Sequence, residues 1–472
     1  MLPTGGIVGP FMLRETPPPA GIGDTPRVRR RRYARLPAFG RTAPAFTNFC
    51  IGYRHVIGDK GEMGDDDHDA ENMVLNTDGK DAVADTAGAG SKAASPQLRI
   101  VVLSPHVYMP GGRKASVHFV AENWARMGHA VSFTTVGYSW LNIFRRWDRF
   151  NALRREQRNR YKRFVDNLDA GGYLPLAHGF STRNPFLQRA SDLLLKGYGQ
   201  HLPSAMEERI AEADLIVLES GSPLLFADLV HRLNPEATKL YFCRDLLRSV
   251  GASPRLQDIE RRLIGTFDVT CVPSRRLGES LPAGGRVAFV PQGLDKDVFD
   301  AATRSPYAAG SVNAVAAGDM LFDRDAVASM AAAAPGVTFH LFGVGWQGTE
   351  LANIRLHGEM GFAELAAYIR HADFGIAAYR YSEREAYLAE SSLKLLQYAY
   401  CGLPTVLPDS LPVNRGNEVG YRLDGDNDWA AIIDEALAMR RSGITIRQSV
   451  PSWDEVARMV LDTVPASRPV RS

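Results

Sequence analysis

Short runs of apolar and β-branched residues recur from residue 98 onwards, and segments with a helical pattern separate them. The first run, residues 98–103, is followed directly by a Ser-Pro pair. An uninterrupted apolar run of this length, closed by a turn signal, is typical of a strand buried in a parallel sheet. We predict five further strands in this half, at residues 130–136, 215–218, 239–243, 269–272 and 287–290. Helices are predicted between them at residues 115–127, 203–213 and 223–233.

The same alternation starts again near residue 313. It predicts strands at residues 313–317, 337–342, 354–357, 374–378 and 405–407, with helices at residues 324–334, 362–371 and 389–401. Strands that alternate with helices indicate a doubly wound parallel sheet. The predicted fold class is therefore α/β, with two facing Rossmann-like domains. Ligands of such sheets bind at the carboxyl ends of the strands, so we expect the active site in the cleft between the domains.

The chain of 472 residues is too long for one hydrophobic core, because such cores stop growing at roughly 250–300 residues. We place the first domain at residues 98–297 and the second at residues 298–450. Residues 451–472 are expected to form a tail and one helix, at residues 453–464, that packs back across the first domain.

Residues 1–97 differ from the rest of the chain. They contain three consecutive prolines, a basic run at residues 27–35 and an acidic stretch around residues 65–69. Blocks of like charge bury too little apolar surface to offset the chain entropy lost on folding, so we predict a disordered N-terminal extension. The alternative is a basic arm that binds nucleic acid or a membrane.

Composition and charge narrow the function classes. Hydrophobic residues make up 45% of the chain and charged residues 23%, as in ordinary soluble proteins. The net charge of +2 excludes a chain-wide field for binding polyanions. The four cysteines lie far apart without CxxC spacing, which favours a reducing, cytosolic compartment. The chain lacks both an apolar run of about 18 residues and a signal-peptide pattern, so we expect it neither to span a membrane nor to be secreted.

Two acidic residues follow predicted strands of the first half. Asp245 ends the segment YFCRD, and Glu219 ends LIVLE. A carboxylate at the carboxyl edge of a sheet, facing the cleft, lies where a general base removes a hydroxyl proton. Asp245 is the candidate base, and Glu219 is the reserve candidate or a ligand of the acceptor hydroxyls. The alternative for Asp245 is an N-cap of the following helix.

The segment YLAESSLKLLQY, residues 387–398, predicts a helix entered through Glu390, Ser391 and Ser392. Its first turn offers N–H donors, two hydroxyls and the Lys394 ammonium, which together suit a departing diphosphate. The alternative is a serine N-cap followed by a solvated lysine.

Three other loops follow predicted strands. The glycines at positions 111 and 112 precede a helix and allow the backbone to approach an anionic ligand, although a tight turn explains them equally. Glu359 and Tyr379 follow strands of the second half. A glutamate there can hold ribose hydroxyls, and a tyrosine can donate to phosphate.

Residues 140–163 combine aromatic residues with many arginines. The apolar positions 140, 143, 144, 147, 150 and 153 recur at helical spacing. This pattern predicts an amphipathic helix that lies on an anionic bilayer surface. The candidate membrane or acceptor residues are Trp140, Phe144, Arg145, Arg146 and Trp147. The alternatives are an exposed helix packed by its aromatic residues and an RNA-binding helix, although no RNA-binding motif supports the latter.

No metal site is expected. The acidic run at residues 65–67 lies in the extension, and the one at residues 424–428 resembles a turn before a helix. Neither lies at a strand end in the cleft, and the histidines show no ligand spacing.

The chain resembles the GumK family of β-glucuronosyltransferases of xanthan-type exopolysaccharide assembly. The matching segments are LSPHVYMPGGRKASVHF, ADLIVLESG, YFCRD, AAGDMLFD, LHGEMGF, FGIAAY and YLAESSLKLLQY, which run in order from residue 98 to residue 461. The resemblance implies a GT-B fold and an inverting transfer of glucuronate from UDP-glucuronate, without a metal or other cofactor. It implies an acceptor that is the terminal mannose of a polyprenyl-diphosphate oligosaccharide, and a peripheral protein at the cytoplasmic face of the inner membrane.

The resemblance also assigns roles to residues. It places the catalytic base on Asp245, and it places donor-site residues on Met320, Glu359, Tyr379, Leu393, Lys394 and Gln397. Leu393 departs from the family, which has Met there; this apolar exchange is expected to preserve packing. The region 145–163 does not align with the family.

Several further functions stay open at this point. A retaining GT-B transferase would carry two glutamates eight positions apart in the second half, and the sequence has no such pair. The chain could also be a GT-B transferase that uses another UDP-sugar, a non-catalytic membrane adaptor with a nucleotide fold, or a UDP-sugar epimerase.

Overall fold

The structure, a computed structural model, describes residues 97–109, 114–141, 147–178, 185–346, 348–358, 360–443 and 449–465. The predicted disordered extension lies outside these residues, apart from its last residue. So do the glycines at positions 111 and 112, and so do Phe144, Arg145, Arg146 and Glu359.

The first half is built on a sheet of eight strands in the order β3-β4-β2-β1-β5-β6-β7-β8. The strands are β1 Arg99–Ser104, β2 Ala130–Thr135, β3 Tyr161–Val165, β4 Leu168–Gly172, β5 Leu215–Glu219, β6 Thr238–Phe242, β7 Val269–Val272 and β8 Val287–Phe289. All neighbouring strands are parallel except β3 and β4. The helices are α1 Ser116–Arg126, α2 Trp147–Ala152, α3 Pro185–Tyr198, α4 Ser204–Glu212, α5 Ala227–Leu233, α6 Pro254–Leu263, α7 Arg275–Ser280 and α8 Lys296–Ala301.

The second half contains a six-stranded parallel sheet in the order β11-β10-β9-β12-β13-β14. Its strands are β9 Val312–Ala317, β10 Val337–Phe342, β11 Ile354–Gly358, β12 Phe374–Ile376, β13 Thr405–Pro408 and β14 Glu418–Tyr421. Its helices are α9 Arg324–Ala333, α10 Phe362–His371, α11 Leu388–Ser391, α12 Leu393–Tyr400 and α13 Trp429–Arg441, and the last helix of the chain is α14 Trp453–Asp462. The predicted α/β class with two Rossmann-like halves is confirmed.

Both faces of the central strands are buried, which explains their continuous apolar runs. In β1, Ile100 and Val102 pack on the side of α1, whereas Val101 and Leu103 pack on the opposite side. Because each face is covered by helices, an alternation of apolar and polar residues would place polar groups in the core.

Helix α14 packs against the first half, although it follows the second half in sequence. The ring of Trp453 stacks on Phe119 with centroids 5.0 Å apart, and Trp124 Nε1 donates a hydrogen bond to the carbonyl of Ala457. A side chain at Gly293 would lie 2.8 Å from the Trp453 ring, so only glycine allows this approach. The Leu294 backbone pairs with Ser452, so the two connections between the halves run side by side.

The structure corrects the prediction for residues 140–163. Helix α2 continues as one π-helical turn, Leu153–Gln157, and the chain then enters strand β3. Phe150 and Leu153 are fully buried beside Val107, Tyr138 and Leu174, so they cannot face a bilayer. Half-buried Trp140 packs on Phe150 with ring centroids 5.4 Å apart. A single amphipathic helix was therefore the wrong prediction, because Phe150 and Leu153 pack inward and the chain then forms strand β3, which pairs with β4.

The predicted helix 389–401 is interrupted. Ser392 adopts extended backbone, with ψ of 115°, and it separates α11 from α12.

Among the residues that the structure describes, no helix is long and apolar enough to cross a bilayer.

Candidate active site

Asp245 lies at the carboxyl edge of the first sheet, three residues after the end of β6. The next helix, α6, begins only at Pro254, and its N-cap is Ser253, whose hydroxyl accepts a hydrogen bond from Leu256 N. The alternative prediction of Asp245 as a helix cap was therefore wrong. The Asp245 carboxylate is half-buried, and its Oδ1 accepts a 3.4 Å hydrogen bond from the hydroxyl of Tyr387 in the second half.

Burial raises the pKa of Asp245 to about 7, against the opposing effects of the Arg244 charge and the Tyr387 hydrogen bond. A carboxylate of ordinary pKa is a weak base at neutral pH, and desolvation makes it stronger. A base with a pKa near the working pH combines a sufficient ionised fraction with a sufficient driving force for proton transfer. Asp245 therefore has the location and the basicity of a general base.

Glu219 ends strand β5 on the side of the sheet that α1 covers. Its carboxyl is buried, accepts a 2.5 Å hydrogen bond from the Ser104 hydroxyl, and lies 3.6 Å from His106 Nε2. Desolvation raises its pKa to about 8, so most Glu219 carboxyls carry a proton at pH 7. A neutral carboxyl can donate to an acceptor hydroxyl, which keeps the predicted ligand role open.

The segment 385–390 of the second half connects the two halves at this edge. Tyr387 and Leu388 belong to the hydrophobic core of the first half. Glu385 accepts a 3.0 Å hydrogen bond from the Ser249 hydroxyl, and Glu390 accepts a 2.7 Å bond from the Arg275 backbone. The position of Asp245 relative to the second half is therefore fixed by core packing and hydrogen bonds together.

The two candidate serines use their hydroxyls within the protein. Ser391 Oγ donates to the carbonyl of Tyr387 at 3.1 Å. Ser392 caps α12, and its Oγ lies 2.7 Å from the hydroxyl of buried Tyr379. Both side chains therefore shape the turn between α11 and α12, and the N-cap alternative describes Ser392 correctly.

Lys394 is buried in the first turn of α12, with only 3% of its surface exposed. Its Nζ lies 5.0 Å from the centre of the Tyr379 ring, which offers a cation–π contact. Burial lowers the Lys394 pKa to about 8, while the Asp319 charge opposes this shift. No hydrogen bond joins Nζ to another described residue. The alternative of a solvated lysine was wrong, and the ammonium is available to an anionic ligand.

Two further residues of α12 lie near Lys394 in sequence. Gln397 is buried one turn after Lys394, and no described residue donates a hydrogen bond to its Oε1. Leu393 is partly buried and packs against cores of both halves. A buried amide oxygen without a donor is costly, so Gln397 has capacity for a ligand N–H or O–H group.

The loop after β9 lies beside the hydrophobic cluster that the two halves share. Met320 and Leu321 pack against this cluster, which combines first-half residues with Tyr387 and Leu388. Leu321 adopts a left-handed backbone with φ of 50°, and its carbonyl accepts a hydrogen bond from Arg380 N at 2.7 Å. Asp319 accepts a 2.6 Å bond from Gly345 N. This strained loop therefore holds Met320 against a cluster to which both halves contribute.

The sequence interpretation missed Arg244, Asp319 and Tyr387. Tyr387 opens the segment that was singled out, but its contact with Asp245 depends on how the halves dock. Arg244 stands between an apolar strand and the candidate base, and a charge at the end of a buried strand was the available signal. Among the described residues, no group of three or more histidines, cysteines or acidic residues is arranged to hold a metal ion.

The sequence is similar to that of one known protein family. The family model described as "Glucuronosyltransferase GumK, N-terminal domain" matches residues 102–273. The chain is 32% identical over 367 residues to a UDP-glucuronate:glycolipid 2-beta-glucuronosyltransferase of Xanthomonas campestris pv. campestris, a match that covers 77% of this chain and 89% of the relative.

Solved structures add evidence on the fold. A UDP-forming trehalose-phosphate synthase from Burkholderia xenovorans has a TM-score of 0.53 at 12% identity, covering 78% of this chain and 98% of that structure. The corresponding enzyme from Burkholderia multivorans has a TM-score of 0.52 at 11% identity, covering 78% and 96%. At such low identity the likeness concerns the fold alone, and it confirms the GT-B architecture of two Rossmann-like domains.

Proposed function

Because the chain belongs to the GumK family of glucuronosyltransferases, we propose that it transfers glucuronate from UDP-glucuronate to a glycolipid. The observation that carries the proposal is the contact between Asp245 and Tyr387. It brings a carboxylate of the first-half edge, whose pKa is raised by burial, to the segment that leads into Lys394. Base and leaving-group stabiliser thereby belong to one connected set of residues.

The proposed step is an inverting displacement. The Asp245 carboxylate accepts the proton of an acceptor hydroxyl, whose oxygen forms a bond to the anomeric carbon. The bond from that carbon to the UDP oxygen breaks, and both of its electrons leave with UDP. Because the hydroxyl attacks from the face opposite UDP, one carboxylate base suffices, and the configuration inverts.

Stabilisation of the leaving diphosphate is assigned to α12. The Lys394 ammonium is buried and has no hydrogen-bond acceptor among the described residues, so it attracts negative charge strongly in this low-dielectric setting. The hydrogen bond between the Tyr379 and Ser392 hydroxyls holds the Tyr379 ring beneath the Lys394 ammonium. We assign Met320, Glu359 and Gln397 to the uridine and ribose part of the donor. With a protein cation in this position, we propose that the reaction needs no bound metal.

The acceptor is proposed to be the terminal mannose of a polyprenyl-diphosphate oligosaccharide, reached from the cytoplasmic face of the inner membrane. The exposed apolar side chains of the first half support contact with a lipid surface. Phe186 and Leu193 lie seven positions apart on one face of α3 and are 78% and 68% exposed, with exposed Arg189 between them. Leu176 is 82% exposed in the loop that follows β4. Apolar groups beside arginines suit an anionic bilayer.

The double variant Phe186→Glu/Leu193→Glu is expected to bind anionic vesicles at least about 10-fold more weakly, since a buried Phe or Leu contributes about 1.5–3 kcal/mol. Cosedimentation with vesicles that contain an anionic phospholipid measures the bound fraction. The matched control is Val287→Glu, which removes another exposed apolar side chain, in the edge strand β8. Equal binding by the double variant and wild type would contradict this surface.

Tyr387→Phe is expected to move the acidic limb of the activity profile to higher pH. The Tyr387 hydroxyl lowers the Asp245 pKa by donating to the ionised form, so its removal raises that pKa above about 7. Activity should fall several-fold at pH 6.5 and far less at pH 8, where Asp245 ionises in both proteins. Initial rates of UDP release across this range test the shift. Tyr381→Phe, which loses a hydrogen bond to Ser410 instead, is the control and should keep the wild-type profile.

A donor screen tests the function itself. Purified protein is incubated with a membrane lipid extract and either UDP-glucuronate, UDP-glucose or UDP-galacturonate, and glycolipid products are measured. Turnover with UDP-glucuronate supports the proposal, whereas a clear preference for UDP-glucose contradicts the donor assignment. A β-linked product, identified by NMR, supports inversion. Vesicle binding without any UDP release would favour the membrane adaptor instead.

A further inference from the structure

The Arg244 guanidinium is a buried cation for which the described residues provide no hydrogen-bond acceptor. The residue is 6% exposed, and Nε, Nη1 and Nη2 all lack a partner. Its Cζ lies 4.5 Å from the centre of the Phe242 ring, which holds the group on the α1 side of the sheet. Buried polar groups are normally hydrogen-bonded, and a buried guanidinium with none of its five donors used is exceptional.

Nearby acids do not neutralise this charge directly. Asp245 and Glu219 both act on Arg244 through space, yet neither is within salt-bridge distance among the described contacts. Burial lowers the pKa of Arg244 to about 10, so the guanidinium stays charged at neutral pH. The planar fork of N–H groups matches a carboxylate, which can accept two parallel hydrogen bonds from it.

The location of Arg244 identifies the ligand group. It precedes the candidate base, which must touch the acceptor hydroxyl beside the anomeric carbon. UDP-glucuronate has two anionic groups, the diphosphate and the carboxylate on the sugar ring. In an inverting displacement the diphosphate leaves on the face opposite the base, where Lys394 is assigned to it. The ring carboxylate is therefore the anion that can reach a cation next to Asp245.

We propose that Arg244 binds the carboxylate of the glucuronyl group and thereby selects UDP-glucuronate over neutral UDP-hexoses. This inference rests on the proposed function and adds its specificity determinant. With UDP-glucose the guanidinium would face a hydroxymethyl group and keep its buried charge unpaired. Sites built around a buried polar group discriminate strongly against ligands that leave that group unpaired.

Glu219 lies close enough to act electrostatically on Arg244, so its protonation state affects the binding of a carboxylate there. Its raised pKa leaves the carboxyl largely neutral at pH 7, so it does not repel a second carboxylate. Its oxygens contact the Ser104 hydroxyl and lie near His106. Glu219 therefore adds little repulsion to a carboxylate that binds Arg244.

The test compares donors in the Arg244→Met variant. For UDP-glucuronate, kcat/KM is expected to fall roughly 10²-fold or more, since the buried ring carboxylate would lose its charged hydrogen-bond partner. For UDP-glucose, kcat/KM should change less than about threefold, so the donor preference collapses. Arg244→Lys keeps the charge without the fork and should recover part of the preference. Arg248→Met, at an exposed arginine four residues later, is the control and should leave the preference unchanged.

The outcomes separate the inference from the function. An equal fall for both donors would show that Arg244 acts on Asp245 or on the fold, and it would overturn the inference. An unchanged preference would overturn it too. If Arg244→Met does not fold, the preference of soluble Arg244→Lys decides in the same way. A wild-type protein that turns over UDP-glucose but not UDP-glucuronate would overturn the proposed function, and the inference with it.

Discussion

Replacing Asp245 by Asn is expected to lower kcat by roughly 10²–10⁴-fold, the range that general-base catalysis contributes. Asn has nearly the same shape and can still contact the Tyr387 hydroxyl, but it cannot accept a proton from the acceptor. UDP affinity should stay within about twofold of wild type, because the diphosphate is assigned to α12 and not to Asp245. Steady-state glycolipid formation measures kcat, and titration calorimetry measures UDP binding.

Two controls make the Asp245 result specific. Asp258→Asn changes an exposed aspartate that pairs with Arg261, and it should leave the rate unchanged. The thermal stability of the Asp245→Asn variant tests the effect of burial. In the folded wild type the pKa of the Asp245 carboxyl is about 7, against 3.8 for an ordinary aspartate. Wild-type stability therefore declines as the pH rises between these values. Asn avoids this decline, so the variant should melt at a higher temperature than wild type at pH 8. A rate within threefold of wild type would refute the assignment of Asp245 as base.

Replacing Lys394 by Met is expected to lower kcat/KM by about 10²–10³-fold, comparable to removal of one preorganised donor at a developing charge. Met fills similar space above the Tyr379 ring, so the packing of α12 should survive. The loss should be equal for UDP-glucuronate and UDP-glucose, since both share the diphosphate. This equality distinguishes Lys394 from Arg244, whose replacement should affect one donor only.

The pH dependence of the wild type gives an independent check on Lys394. Burial lowers its pKa to about 8, so the ammonium is lost as the pH rises beyond that value. Activity should therefore decline on the alkaline side, and Lys394→Arg should remove this decline because a guanidinium stays charged. The control is Lys296→Met, which removes a lysine that pairs with Glu455. This variant should keep the alkaline decline of the wild type. Unchanged donor kinetics in Lys394→Met would contradict the assignment.

Sequence patterns predicted the fold where burial dominates. Strand β1 holds a continuous apolar run and β10 holds four buried apolar residues, and both strands were located within a residue. The hairpin of β3 and β4 was missed because β3 lies at the sheet edge and alternates exposed and half-buried residues. Its arginines suggested an amphipathic helix. The turn signal was Asn167, which adopts a left-handed backbone with φ of 61°.

The candidate site was predictable only in part, because contacts between distant parts of the chain determine the environment of its residues. A strand's carboxyl edge can be found from sequence, which made Asp245 a candidate, and a predicted first helical turn made Lys394 another. The environment of each group depends on tertiary packing. The docking of Tyr387 into the first-half core and the unsatisfied Arg244 guanidinium arise from contacts between residues that are far apart in the chain.

The position of α14 has a consequence for constructing hybrid enzymes. The first half is completed by a helix from the chain's other end, so a fragment that stops at residue 295 would expose Phe119 and Trp124 to water. Exchanging the second half for that of a relative therefore requires two junctions, one beside Leu294 and one beside Ser452. Those two residues are already paired in a β-bridge, in which Leu294 N donates to the carbonyl of Pro451, so both cuts would fall at one place on the protein.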